Sequence, residues 1–427
     1  MKKFIAFLVI ACLFSGALLA APAKAPATKP ATKFAITTMT KEFSTAMYPG
    51  VLVPGSLSGT SVFVADYAYM PNAALFEYLY GATIGFLSMS SDFGKIGLSL
   101  SPVIQPDLRD IDVSLPDDCI GLYWAGKTGD MPLGVSLQYG VENGSFSTDQ
   151  FGTYNPDFEN WTEQFVALRL GSVLGGVDLG LGVSLGTGYY EYEDWSSATS
   201  YNYKEIYDDS KLVVDLAART KVPGGITAYA MLSWINGIER YTYLYDSSSD
   251  YVEEEYNTKL SFKAGAGKDI HIGDSLKISV ALGVEADGDA DAKTKEWYVY
   301  YPQDIEYDYY DYDNESVFSI PLNVKVEGKI NDNWSFSTGV RAVILEIEGE
   351  KEDVNTASQY EKIQRLRQWE YARVNPTLDY AFGLTGVIGD LKLDMFINPA
   401  IFITAPYFIG GSGAGALNTG VALSYIW

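Results

Sequence analysis

The residues best suited to do chemistry in this 427-residue chain are charged side chains set at every second position between apolar ones. Asp215, Arg219 and Lys221 alternate with Leu212, Val214, Leu216 and Ala218. Lys277 and Glu285 alternate with Ile278, Val280, Leu282 and Val284, and Lys325, Glu327 and Lys329 fall between Val324, Val326 and Gly328. Lys259, Lys263 and Arg341 occupy the same kind of position. Period-two alternation puts such charges on one face of a strand. Facing a lumen, they could act as a ring that selects ions, or pair across strands and fill the interior. Basic residues outnumber Asp215, Glu285 and Glu327 in this set, so one basic wall is an expectation, with pairing favoured over it.

Other chemistry is scarce. The single histidine, His271, lies between Asp269 and Asp274 in a turn sequence and reads as a solvated residue rather than a general base. There is no phosphate loop, zinc spacing or nucleophile triad, so no enzyme activity, cofactor or nucleic-acid partner is expected. Asp287, Asp289 and Asp291 place acids at alternate positions of an expected loop. They form a weak Ca²⁺ candidate, and a solvated acidic loop is favoured because the sixth-place glycine of a calcium loop is missing. Cys119 is the only cysteine outside the N-terminal leader, which excludes an intramolecular disulfide.

The elements that must position these charges are long alternating strands. Hydrophobic residues make up 47% of the chain and aromatic residues 14%, yet no segment after the leader has the ~20 apolar residues of a membrane helix. Fifteen strand candidates begin near Leu79, Lys95, Cys119, Pro132, Glu163, Val177, Lys211, Ile226, Thr258, Ser275, Ser316, Asn333, Arg373, Leu391 and Leu417. Short turns at 127–131, 174–176, 223–225, 269–273, 331–333 and 389–390 take turns with long connections at 143–162, 189–209, 237–255, 287–314 and 349–372. That pattern predicts a transmembrane antiparallel up-and-down β-barrel, with periplasmic turns and extracellular loops. The net charge of −24 resides largely in the Tyr- and acid-rich long connections. Even strand numbers are the rule, so the expectation is about 14, with 16 as the alternative.

The N-terminus adds an export signal. Lys2 and Lys3 precede the apolar run Phe4 to Leu13 and small residues through Ala21, predicting a cleaved signal peptide over 1–20. Cys12 also sits in a weak lipoprotein-like box. A Pro/Ala-rich tether follows over 21–33, then an N-terminal plug or periplasmic segment over 34–78, then the barrel over 79–427. At the other end, Val421, Leu423, Tyr425 and Trp427 alternate to the last residue. This resembles the C-terminal assembly signal of bacterial outer-membrane barrels, which implies the barrel-assembly machinery and outer-membrane lipids as partners.

A second resemblance lies in Ser61 to Phe76, read SVFVADYAYMPNAALF. It resembles the N-terminal plug of outer-membrane long-chain fatty-acid transporters, with Asp66, Tyr69, Pro71 and Asn72 at the corresponding places. The order Pro71-Asn72 departs from that family's Asn-Pro. The resemblance implies a plugged lumen and a hydrophobic ligand. The expected function is an outer-membrane channel or uptake protein for small solutes. The alternative is a structural or adhesive barrel whose acidic loops bind a partner. The sequence marks no oligomeric state.

Overall fold

The computed structural model describes residues 73–79, 82–102, 116, 118–128, 131–147, 158–196, 201–245, 249–300, 303–354, 363–366, 371–373, 378–397 and 419–426. These residues are almost wholly strand. In order they are β1 (Ala73–Leu79), β2 (Ala82–Ser91), β3 (Gly94–Pro102), β4 (Asp118–Thr128), β5 (Met131–Ser147) and β6 (Phe158–Leu174). Next come β7 (Val177–Ser196), β8 (Tyr201–Val222), β9 (Ile226–Tyr245), β10 (Ser249–Ile272), β11 (Leu276–Tyr300) and β12 (Gln303–Lys329). The last are β13 (Trp334–Val354), β14 (Ile363–Leu366), β15 (Tyr371–Arg373), β16 (Leu378–Ile388), β17 (Leu391–Ile397) and β18 (Thr419–Ile426).

Every pairing is antiparallel, and from β1 to β13 each strand pairs with its neighbours in sequence order, as alternating faces and tight turns require. β14, β15 and β16 share one flank of β13. β1 pairs with β2 on one side and with β18 on the other. Among the described residues the pairing therefore passes through sixteen positions and returns to its start. All fifteen sequence candidates find a strand here. The sixteenth position is β1, which moves the start of the sheet from 79 to Ala73. Ala73 to Tyr78, expected in the N-terminal plug or periplasmic segment, are instead held in the sheet between β2 and β18.

Burial is the reverse of that in a water-soluble protein. Val177, Leu179, Leu181, Val183 and Leu185 form the outward edge of β7, and Leu181, Val183 and Leu185 are exposed. Leu168 and Leu170 of β6, Leu216 of β8, Trp234 of β9 and Leu282 of β11 continue this exposed apolar surface. The opposite face carries Ser99, Ser136, Gln138, Arg169, Asp215, Ser279, Asn323, Lys325 and Lys392, all buried. The apolar band spans nine residues of β7, or about 30 Å of extended chain before tilt. That height suits a bilayer.

Two sequence expectations need correction. The long connections at 189–209, 237–255 and 287–314 are mostly strand, since β7 to β12 run 20 to 27 residues each. Their acidity suggested loops. Their tyrosines alternate, however, and aromatic residues favour a pleated surface. Second, Asp287, Asp289 and Asp291 lie within β11, not in a loop. The short turns at 174–176, 223–225, 331–333 and 389–390 hold as read, whereas the one expected at 269–273 lies at 273–275, with Asp269 to Ile272 completing β10. Gly175 and Gly176 both have positive φ between β6 and β7, a conformation that other residues adopt only under strain.

The outward face yields a depth-dependent prediction. Leu168→Arg, in the apolar band, should lower folding stability in vesicles by about 2–4 kcal/mol. Thr187→Arg, above the band on the same outward face, should cost under about 1 kcal/mol. Urea refolding of both variants checks this, and equal losses would remove the band.

Candidate functional site

Register turns the inner face into rows that run across strands. At mid-height, Ser136, Arg169, Gly182, Asp215 and Ser233 stand opposite one another on β5 to β9. Gly182 between Arg169 and Asp215 carries no side chain to separate their charges. Ser233 Oγ donates to Asp215 Oδ1 at 2.6 Å. Arg169 donates to Gln138 Oε1, and Gln138 Nε2 donates to the Tyr123 hydroxyl at 3.2 Å. That hydroxyl and Ser99 Oγ lie 2.9 Å apart. A buried polar belt thus crosses seven strands, β3 to β9, at the level of the apolar band.

Nearer the short turns the charges pair. Arg219 meets Asp178 at 2.6 Å. Lys277 bridges Asp269 at 3.3 Å and Glu327 at 3.1 Å, and buried Lys325 reaches the same Glu327 at 2.7 Å. Lys259 stands opposite Asp289 and Lys263 opposite Glu285 on β11. Arg341 holds a register position between Asn323 and Asp379. Lys221 is exposed at the end of β8. Lys329 is exposed at the end of β12 and pairs with Asp332 at 2.7 Å, so it marks the rim rather than the lumen. The basic wall gives way to interleaved pairs because Asp178 and Asp269 supply acids that the sequence reading left out. That reading also missed Arg169, Lys211 and Lys392. Arg169 lies between Leu168 and Leu170 and Lys392 between Leu391 and Leu393, and that was the available signal; Lys211, next to Ser210, carries none on that side.

The far end of the strands differs in kind. Glu142, Glu163, Gly188, Asp209, Glu239 and Glu255 form one row across β5 to β10. The next row outward is Trp161, Tyr190, Tyr207, Tyr241 and Glu253. Beyond it come Glu159, Tyr192, Glu205, Tyr243 and Tyr251. The Tyr207 and Tyr241 rings lie 4.6 Å apart, and Tyr243 and Tyr251 lie 5.6 Å apart. Gly188 is a notch over which the Asp209 carboxylate leans, since a Cβ there would sit 2.5 Å from Asp209 Oδ1. Trp161, Glu163, Tyr189, Tyr190, Glu205, Tyr207 and Tyr241 line a cleft of about 450 Å³.

Electrostatics follow from this crowding. Burial, then the charges of Glu239 and Asp209, raise the Tyr207 hydroxyl above the ordinary phenol range. Burial raises the Tyr190 hydroxyl, aided by Glu159 and Glu205. Glu255 is also raised, by burial and then by Glu253. On the opposite face, Lys204 donates to Glu191 and, at 2.9 Å, to Glu193. These bonds raise Lys204, and the first of them lowers Glu191. Tyr189, which donates to Glu191 at 2.7 Å, is pushed up to about 12, by burial first.

No family model matches this chain, and no curated protein does. Solved outer-membrane barrels do match. The toluene transporter TodX of Pseudomonas putida shares 8% identity at a TM-score of 0.33, over 89% of this chain and 96% of that one. The toluene transporter TbuX of Ralstonia pickettii shares 10% at 0.31, over 83% and 87%. The transport unit of the autotransporter AIDA-I from Escherichia coli shares 9% at 0.31, over 70% and 91%. At that level of likeness nothing passes from those proteins to this chain.

The remaining sequence candidates divide by position. Asp66, Tyr69, Pro71 and Asn72 lie outside the described residues, as does Trp427. Val421, Leu423 and Tyr425 sit in β18, where Leu423 and Tyr425 are exposed on the apolar face. His271 is exposed at the end of β10. Among the described residues, no group of three or more His, Cys, Asp or Glu could hold a metal ion.

Two predictions follow from the pairs. Arg169→Met removes the charged donor to the buried Gln138 Oε1 and should cost about 1.5–3 kcal/mol, while adding Gln138→Leu should recover part of the loss. Urea unfolding of both variants reads this as a double-mutant cycle. For Glu191, a folded pKa below the unfolded one means that its contribution is full above the unfolded carboxylate range. That contribution is lost as pH falls through the folded value. Lys204→Met should move the Glu191 carboxyl titration back up toward its ordinary range, as read by carboxyl ¹³C NMR. An unchanged titration would remove the pair.

Proposed function

We propose that this chain is a bacterial outer-membrane channel or uptake protein, passing small solutes through the interior of its sheet. The observation that supports it is the reversed burial. An exposed apolar band of bilayer height encloses a face of serines, glutamine, asparagine and charged pairs. A lipid-facing surface costs nothing only if it is apolar, and a polar inner face is useful where water or solute passes. The N-terminal leader and the C-terminal strand fit export and insertion, and the short turns are assigned to the periplasm. The cleft-bearing end then faces outward.

The resemblance of residues 61–76 to a fatty-acid transporter plug adds a finer proposal, in which Asp66, Tyr69, Pro71 and Asn72 obstruct the lumen and a hydrophobic ligand is carried. The competing reading is an adhesive barrel. It is favoured by the Tyr- and acid-rich extensions that β7 to β12 carry beyond the apolar band.

Planar-bilayer recording of the refolded protein separates these. A channel gives discrete conductance steps, and deleting 61–72, which stops short of β1, should enlarge them if that segment is a plug. No steps, together with no uptake of hydrophobic solutes into vesicles, would overturn the transport reading.

A further inference from the structure

We propose that the cleft at the long end of β6 to β9 is a binding station for organic cations that carry an apolar or aromatic body. The proposal rests on the transport reading and deepens it by naming a solute class. Three features of the cleft support it.

The first is its surface. Trp161, Tyr190, Tyr207 and Tyr241 stand side by side in one row on the inner face. Indole and phenol faces carry negative quadrupole density and attract cations, above all weakly hydrated organic ones. They also accept flat apolar groups. The rings are held rather than loose. Tyr207 and Tyr241 lie 4.6 Å apart, and the Trp161 ring covers Gly144, where a side chain would collide with it.

The second is charge. The row directly below the rings holds Glu142, Glu163, Asp209, Glu239 and Glu255, and Glu205 lies above them. The nearest inner-face cation is Lys211, one row further down and buried. Lys204 and Arg240 belong to the opposite face, where they meet Glu191, Glu193 and Glu254. The cleft therefore presents a net negative field, focused by the low-dielectric walls around it. An anion would be repelled. A neutral aromatic would gain only the rings.

The third is size. About 450 Å³ suits a small organic molecule, well beyond a bare metal ion. Two acids, Glu163 and Glu205, line the cleft itself beside the rings, so an ammonium or guanidinium head seated on the aromatic faces would meet carboxylates there.

The test uses the full chain refolded in detergent, with isothermal titration calorimetry of three matched probes: phenethylammonium, phenethyl alcohol and phenylacetate. Phenethylammonium should bind at least about tenfold more tightly than the alcohol, and phenylacetate should not bind. Binding should weaken with added salt. Glu163→Gln combined with Glu239→Gln should weaken phenethylammonium by about tenfold or more, and Tyr207→Leu should do likewise. Tyr207→Phe, which keeps the ring, should retain most of the affinity. Heat-modifiable gel mobility confirms that each variant is folded. If the Gln pair does not fold, the salt titration of the unaltered protein still decides the charge requirement. Equal binding of all three probes, no binding of phenethylammonium, salt-insensitive binding, or full affinity in the folded Gln pair would overturn the proposal. Conductance of the same preparation separates the two claims. Channel steps without phenethylammonium binding sink the cation site alone, whereas binding without steps or uptake sinks the transport reading and leaves the site.

Discussion

A backbone amide in hydrocarbon has no water to replace a missing partner. That constraint governs the rest of this molecule. β1 and β18 pair with each other although almost the whole chain lies between them, so neither the first nor the last described strand is left as an edge. Once the backbone is satisfied in this way, the side chains face opposite demands on the two faces. The outward face has to be apolar without packing against protein. The inward face can hold charge, provided each charge is answered.

The answers are local. Arg219 has Asp178 directly across the strand, and Lys277 and Lys325 share Glu327. Arg169 and Asp215 face each other over Gly182, tied to Gln138 and Ser233. Glycines let longer side chains lie flat along the wall. Gly265, for example, lies beneath the Tyr229 ring, and a Cβ there would come within 2.6 Å of its hydroxyl. Toward the long end the composition of the rows changes. Acids outnumber bases in successive rows, and tyrosines stand among them. Such an excess of one sign raises the cost of ionising the group at its centre, which is why Tyr207 and Glu255 are both displaced upward.

Much of the fold was legible in the sequence because period-two alternation survives even where the strands are long. Leu276 to Val284 against Lys277 to Glu285 placed the correct residues on each face of β11. β1 was not legible: AALFEYL has apolar residues at nearly every place, and its role comes from partners at both ends of the chain. The strand extensions were misread because acidity outweighed alternation in 189–209 and 287–314. The site was least legible of all. Trp161, Tyr190, Tyr207 and Tyr241 are far apart in sequence, and only the register of three strand pairs aligns them. Composition can say that tyrosines and acids are abundant; it cannot say that an acidic row lies directly beneath a mostly aromatic one.

The account stands or falls on the pairing of the first and last strands. Leu75 and Ser424 are register partners, whereas Phe76 lies one place out. In a Cys119→Ala background, Leu75→Cys with Ser424→Cys should form an intramolecular disulfide under mild oxidation of the refolded protein. It would be seen as a mobility shift that reductant reverses. Phe76→Cys with Ser424→Cys should form far less. No intramolecular bridge in the first pair, or equal bridging in both, would contradict a sheet joined through β1 and β18.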